Sequence, residues 1–259
     1  MTNLTRPGRI FYGTAIAGMG FQALYYKDFP YFLIPPNHSG ISGLAWLAYI
    51  SGILLISSGA SIIFEMKART VSLLLGASLL LIFCFYFIPY EFLSTHNYIH
   101  LIEWDNPEKE LDLSAGAFLI AACYPKTNEN RLTRFLSKWI PVASIIFPIT
   151  IISFGIDHFL YAKDVSEYIS SWIPWPLFWT YLAGAGLFGS GVAILLRIRV
   201  RLFATLLGSM ILIWILILHI PKSMAETAAD MGGELTSAFL ALAYSGIAFV
   251  IAGNSKTRT

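Results

Sequence analysis

Charge is what this 259-residue chain has least of: Asp, Glu, Lys and Arg make up 12% of it, against 56% hydrophobic and 15% aromatic residues. A soluble domain of this size has no core large enough to hide so much apolar side chain, so lipid is the expected solvent and partner. A net charge of +2 leaves no basic face of the kind nucleic acid demands, and no nucleic-acid partner is expected. There are two cysteines, Cys84 and Cys123, set in separate apolar runs and too few for a disulfide framework. A Gly-rich phosphate loop, a Ser-His-Asp order, a CxxC pair and a CxxCH haem attachment are all missing. Nothing therefore marks a self-contained enzyme, and whether the chain is one stays open. After Arg6 and Arg9, the run 10–26 meets no small-x-small cleavage site before Lys27-Asp28, which predicts a retained first span.

What the chain has is long apolar runs. Seven of them, at roughly 10–26, 41–64, 70–90, 139–161, 174–196, 202–220 and 235–252, reach or approach the ~20 residues needed to cross a bilayer. An eighth, 111–123, is short. If it crosses too, thirteen of the seventeen Lys and Arg fall on one side, while thirteen of the fifteen acids fall on the other. If it does not, the basic loops are split between the two sides. The positive-inside rule then selects eight spans with both termini cytoplasmic. The expected fold class is all-α, a polytopic membrane bundle of eight transmembrane helices.

The chain also repeats itself. With no gap and a constant offset, Tyr49, Gly52, Gly59, Arg69, Gly76 and Pro89 meet Tyr181, Gly184, Gly191, Arg201, Gly208 and Pro221. Upstream, YYKD at 25–28 mirrors YAKD at 161–164. Two four-helix units follow, at 1–125 and 126–259. Four crossings return a chain to its starting side, so the units run parallel about an axis along the membrane normal. The shared glycines read as helix-packing positions, since lipid gives helices no hydrophobic reason to pair.

Several motifs of the second unit carry a family resemblance: the His158-Phe159 pair near the end of its first helix, the Trp172-Ile173-Pro174-Trp175-Pro176 lead into its second, Tyr181 with Gly184, the small residues to Gly191, a basic turn, and Pro221 closing its third helix. Together they resemble the DoxX-like family of small four-helix bacterial membrane proteins, well over 139–252 and weakly over 10–123. The stretch 103–122 also resembles the family's run into a short fourth helix. Many members carry a glutamate in the second helix, which this chain lacks. The first unit has Gln22 near the place of His158 and Phe87 at the place of His219. The resemblance implies the bacterial cytoplasmic membrane and an accessory role beside an extracytoplasmic, quinone-linked oxidoreductase, with a membrane or periplasmic redox partner. More distant relatives imply a different role, a non-catalytic assembly factor or scaffold. A small-molecule transporter is a third reading that parallel repeats permit.

The candidate site lies in the second unit. The fifth and seventh spans run the same way, which brings His158 and His219 to one outer level, with Asp157 and Asp164 nearby. Trp175 and Trp179 form a roof, and Tyr181 follows one turn on. Ionisable groups at membrane depth point to function, and a neutral imidazole can hydrogen-bond a quinone carbonyl or ligate a metal. In this reading Asp157 orients or charge-balances His158. The plainer reading makes both histidines interfacial helix-end residues and the aromatics a headgroup belt. His96, His100 and Glu103 have i, i+4, i+7 spacing, a weak metal-ligand pattern that a solvated surface helix explains equally.

Overall fold

The computed structural model describes residues 4–34, 45–93, 104–126, 129–227 and 232–255, and these are helical with no strand among them. In chain order they form α1 (Thr5–Tyr26), α2 (Ala45–Ile63), α3 (Ala68–Leu93), α4 (Asp105–Ala121), α5 (Arg131–Leu160), the short α6 (Ala162–Tyr168), α7 (Pro176–Leu195), α8 (Val200–Ala225) and α9 (Gly233–Asn254). Local signals account for several boundaries. The Asn130 side chain accepts from the Thr133 amide at 2.9 Å and caps α5. Pro176 opens α7 in the first turn, where its missing N–H costs nothing.

Among the described residues six helices, α2, α3, α5, α7, α8 and α9, are long and apolar enough to cross a membrane. This falls short of the eight anticipated, and the reason is compositional. α1 opens on Arg6 and Arg9, while α4 is only 17 residues long and carries Asp105, Glu108, Lys109, Glu110 and Asp112. Both nonetheless lie inside the bundle. Every residue of α4 from Asp112 to Ala121 is buried, and α1 runs antiparallel along α9, from Gly8 beside Gly246 to Gln22 bonded to Thr236.

The two halves share local geometry at the offset that aligns their sequences. Both α3 and α8 pass through a π-helical turn, at Phe83–Phe87 and Ile215–His219. Each half also makes its tight helix hairpin with two left-handed non-glycine residues, Glu65 and Lys67 in one, Arg197 and Arg199 in the other. A Cβ on Gly20 would come within 2.8 Å of the Ile56 backbone N, and one on Gly155 within 2.6 Å of the matching Phe188 N. Ser114 donates to the Gly76 carbonyl at 2.7 Å, and Ser245 to that of Gly208 at 2.9 Å. α1 packs on α2 as α5 packs on α7. The fourth helix of each half closes on the first of the other, α4 on α5 and α9 on α1.

Candidate functional site

Between α5, α7, α8 and α9 lies a cavity of about 930 Å³. Helix register gives it a depth. Its floor is apolar, built from Ile151, Leu187, Met210, Ile211 and Leu240, and its rim carries Asp105, Lys109, Asp157, His158, His219, Lys222 and Glu234. From Ile211 to Lys222 is about 16 Å at the helical rise of roughly 1.5 Å per residue. The space thus has the shape and polarity for an amphipathic molecule, with a polar end among the ionisable groups and an apolar body below.

Both histidines border it, as the sequence predicts. His158 is held by its own helix: Nδ1 lies 2.7 Å from the Phe154 carbonyl. A carbonyl only accepts, so Nδ1 bears the proton and the neutral ring keeps Nε2 as an acceptor. The expectation that Asp157 orients His158 is therefore corrected, because a backbone carbonyl does so. Asp157 is 8% exposed, yet its Oδ1 has no protein partner, and neither does Trp179 Nε1 or His219 Nδ1. These three buried polar atoms belong to residues that border the cavity. The Trp179 and Trp214 rings meet edge to face at 6.3 Å on one wall.

Three other predicted members stand apart. Asp164 is exposed on α6 and does not line the cavity. Trp175 is 75% exposed. Tyr181 is 46% exposed on the outside of α7, where it stacks on Phe159 at 5.9 Å. Neither ring lines the cavity. His96, His100 and Glu103 lie outside the described residues, within which no group of three or more His, Cys, Asp or Glu is placed to hold a metal.

Other lining residues were not anticipated. Tyr31, Asp105 and Lys109 come from the first half, so the cavity is finished by both. Tyr31 shares a hydrogen bond with Ser237 at 3.0 Å, and Lys109 pairs with Asp105 one turn away. At the rim, Lys222 donates to the Tyr168 carbonyl at 3.0 Å, sits 3.2 Å from the centre of its ring and lies 3.4 Å from Glu234. Tyr168 in turn donates to Glu234. Burial, then the Glu234 bond, raises the Tyr168 hydroxyl above its ordinary value, so it stays a donor across the physiological range. The lysine directly after Pro221 was the one signal in the sequence for this cluster.

Part of the small-residue stripe of α7 packs on α5: a Cβ on Gly184 would come within 2.7 Å of the His158 Cβ, and one on Gly191 within 2.8 Å of the Pro148 carbonyl. Gly189, with nothing within 4 Å of such a Cβ, lies on a face left open. No family, curated protein or solved structure matches this chain.

Proposed function

We propose that the chain is a DoxX-like membrane subunit whose second-half cavity takes the ring of a quinone-class compound, in support of a redox process on the face opposite its basic turns. All eight long helices cross the bilayer in this reading, with both termini in the cytoplasm of a bacterium. Supporting this, α1 matches α9 turn for turn, and α4 runs antiparallel to α5 from Glu108 at Ser153 to Asp112 at Thr150. Gln22 of α1 and Glu110 and Asp112 of α4 are covered by neighbouring helices, which is how polar groups persist at membrane depth.

One observation carries the ligand class. Asp157 Oδ1, Trp179 Nε1 and His219 Nδ1 are unpartnered around a mouth whose floor is apolar. A quinone fits such a set, since it has two polar oxygens on an apolar ring. Trp179 N–H would donate to a ring oxygen, and His219 Nδ1 would donate in the tautomer that protonates it, or accept from the hydroxyl of the reduced quinol. A quinone supplies two-electron, two-proton chemistry when bound. The chain's own residues orient the ring, exclude water below the rim, and offer His158 Nε2 as a proton acceptor.

The test is binding of decylubiquinone and a short-chain menaquinone analogue to the full chain in lipid nanodiscs, followed by quenching of tryptophan fluorescence. Saturable quenching that is lost in His219→Phe is expected. No saturable binding, together with a lipid extract of the purified protein free of quinone, overturns the reading.

A further inference from the structure

The helix seam between α4 and α5 holds a row of carboxyls that the cavity reading does not use. Asp105, Glu108 and Asp112 follow i, i+3, i+7 spacing, so they share one face of α4. Opposite them on α5, the Ser153 hydroxyl donates to Glu108 Oε1 at 2.9 Å, and the Thr150 hydroxyl meets Asp112 Oδ1. Thr150 Oγ1 also lies 2.9 Å from the Phe147 carbonyl. Asp112 is fully buried with Oδ2 unpartnered, and Glu108 Oε2 is unpartnered as well. The row begins in the cavity, where Asp105 and the largely buried Asp157 both line the wall. It ends at Asp112, since α4 continues through buried Leu113–Ala121 with no further ionisable group.

The other seam of the molecule shows that the fold does not require acids there. The shared Ser–Gly bonds and the Gly20 and Gly155 contacts align α9 with α4, and α1 with α5. By that alignment the place of Ser153 and Glu108 is taken by Gly18 and Phe239, and a Cβ on Gly18 would lie 2.3 Å from the Phe239 ring. The place of Thr150 and Asp112 is taken by Ala15 and Ala243, both fully buried. At these two places small and aromatic side chains close the seam without a polar atom, and its bond from Gln22 to Thr236 lies at the places of Asp157 and Asp105. Buried carboxyls cost several kcal/mol unless compensated, so a seam that packs equally well without them holds them for another reason.

We propose that the α4–α5 seam is a blind proton store that exchanges protons with the cavity. A proton from cavity water enters at Asp105 or Asp157. The Glu108 carboxylate takes it, and the Ser153 and Thr150 hydroxyls relay it inward, each accepting on oxygen as it gives up its own proton. The net change is one carboxylate converted to a carboxylic acid, with no electron moved. Reversal returns the proton to whatever occupies the cavity. The groups facing the seam are Asp105 and Lys109 of α4, Asp157 and His158 of α5, and Tyr244 of α9, whose hydroxyl lies 3.4 Å from the Lys109 carbonyl. Tyr12 of α1 also packs against α4, its hydroxyl donating to the Leu113 carbonyl at 2.6 Å, and Glu110 of α4 is fully buried. The store operates whether or not the occupant is a quinone.

Infrared difference spectroscopy on the full chain in nanodiscs, titrated in H₂O and D₂O, tests this directly. A C=O stretching band of protonated carboxyl is expected to change with bulk pH and to shift on deuteration within minutes. Asp112→Asn removes part of that band, and Thr150→Val, which keeps the volume, moves it. Should Asp112→Asn not fold, the Thr150→Val shift alone decides. A band indifferent to pH and deuterium would mean packing carboxyls and overturn the proposal. Protons passing across proteoliposomes through the seam would overturn the blind end. Because no quinone enters the measurement, failure of quinone binding leaves this result standing.

Discussion

The two halves of the molecule share a backbone and differ in what fills it. In α8 the π-helical turn ends on His219, at the rim of the cavity; in α3 the same turn ends on Phe87, fully buried. α5 contributes Asp157 where α1 contributes Gln22, whose Nε2 donates to the Gly232 carbonyl and Thr236 at 2.6 Å each while its Oε1 has no partner. α9 contributes small Ala241 to the cavity wall, and the matching residue of α4 is Glu110, 0% exposed. The sequence places Gln22 near His158, but the Gly20 and Gly155 contacts put it at Asp157, with buried Ala23 opposite His158. The comparison separates two demands. Glycines, hairpin turns and π turns serve the fold and occur twice. His158, His219 and Asp157 meet Ala23, Phe87 and Gln22 at the matching places of the first half, which is the pattern expected when one copy is kept for packing and the other for a ligand.

The largest effect should come from what the halves share. A Cβ on Gly59 would lie 2.3 Å from the Gly13 carbonyl, and one on Gly191 2.8 Å from that of Pro148, both backbone atoms. Gly59→Val and Gly191→Val are therefore expected to lose about 3 kcal/mol or more each, read as a collapse of thermal stability in detergent. Gly189, with nothing within 4 Å, is the control: Gly189→Ala should be neutral or gain up to ~1 kcal/mol of helix propensity. Equal loss at all three would remove the packing argument.

Exchanging the residues that differ comes next. Phe87→His swaps a buried ring for a polar one and should cost about 3 kcal/mol. His219→Phe faces open space, so its cost should stay below about 1.5 kcal/mol while ligand binding falls at least tenfold, about 1.4 kcal/mol. Equal destabilisation by both would show that the second half is packed like the first.

How much of this the sequence discloses follows the same division. Hydropathy is local, so an all-helical membrane bundle is legible without coordinates. The histidine pair is legible too, because intramembrane ionisable groups stand out from apolar neighbours. What is hidden depends on rotation about helix axes. Tyr181 and Trp179 are two residues apart on α7, yet one faces out and the other borders the cavity. Nor does a linear reading bring α4 to α5, so Glu108 and Asp112 pass for charges that merely weaken a short span. The crossing of α1 and α4 stays a proposal for the same reason: their partners are helices, and hydropathy scores only lipid.

A smaller pair of variants checks whether the halves are equally tight where they look alike. Ser114→Ala and Ser245→Ala each leave a glycine carbonyl in the partner helix without its hydroxyl, and each should cost ~1 kcal/mol. A loss confined to Ser114 would mean that the second half already yields around its cavity.

The smallest effect is electrostatic and sits at the basic end. Arg69 holds Glu129 at 2.6 Å, donates to the Ala121 carbonyl at 2.7 Å and to Ser137 at 2.9 Å, tying the end of α4 to the start of α5. The Arg69 hydrogen bond keeps the Glu129 carboxyl below its ordinary range. A carboxyl depressed in the folded state adds stability above its unfolded pKa and loses it as pH falls through the folded value. Thermal stability should therefore decline on the acid side of the ordinary glutamate range, and Glu129→Gln should flatten that limb while leaving neutral pH little changed. An acid limb unaltered in Glu129→Gln would assign the loss to other carboxyls and leave Arg69 anchored by Ser137 and backbone carbonyls.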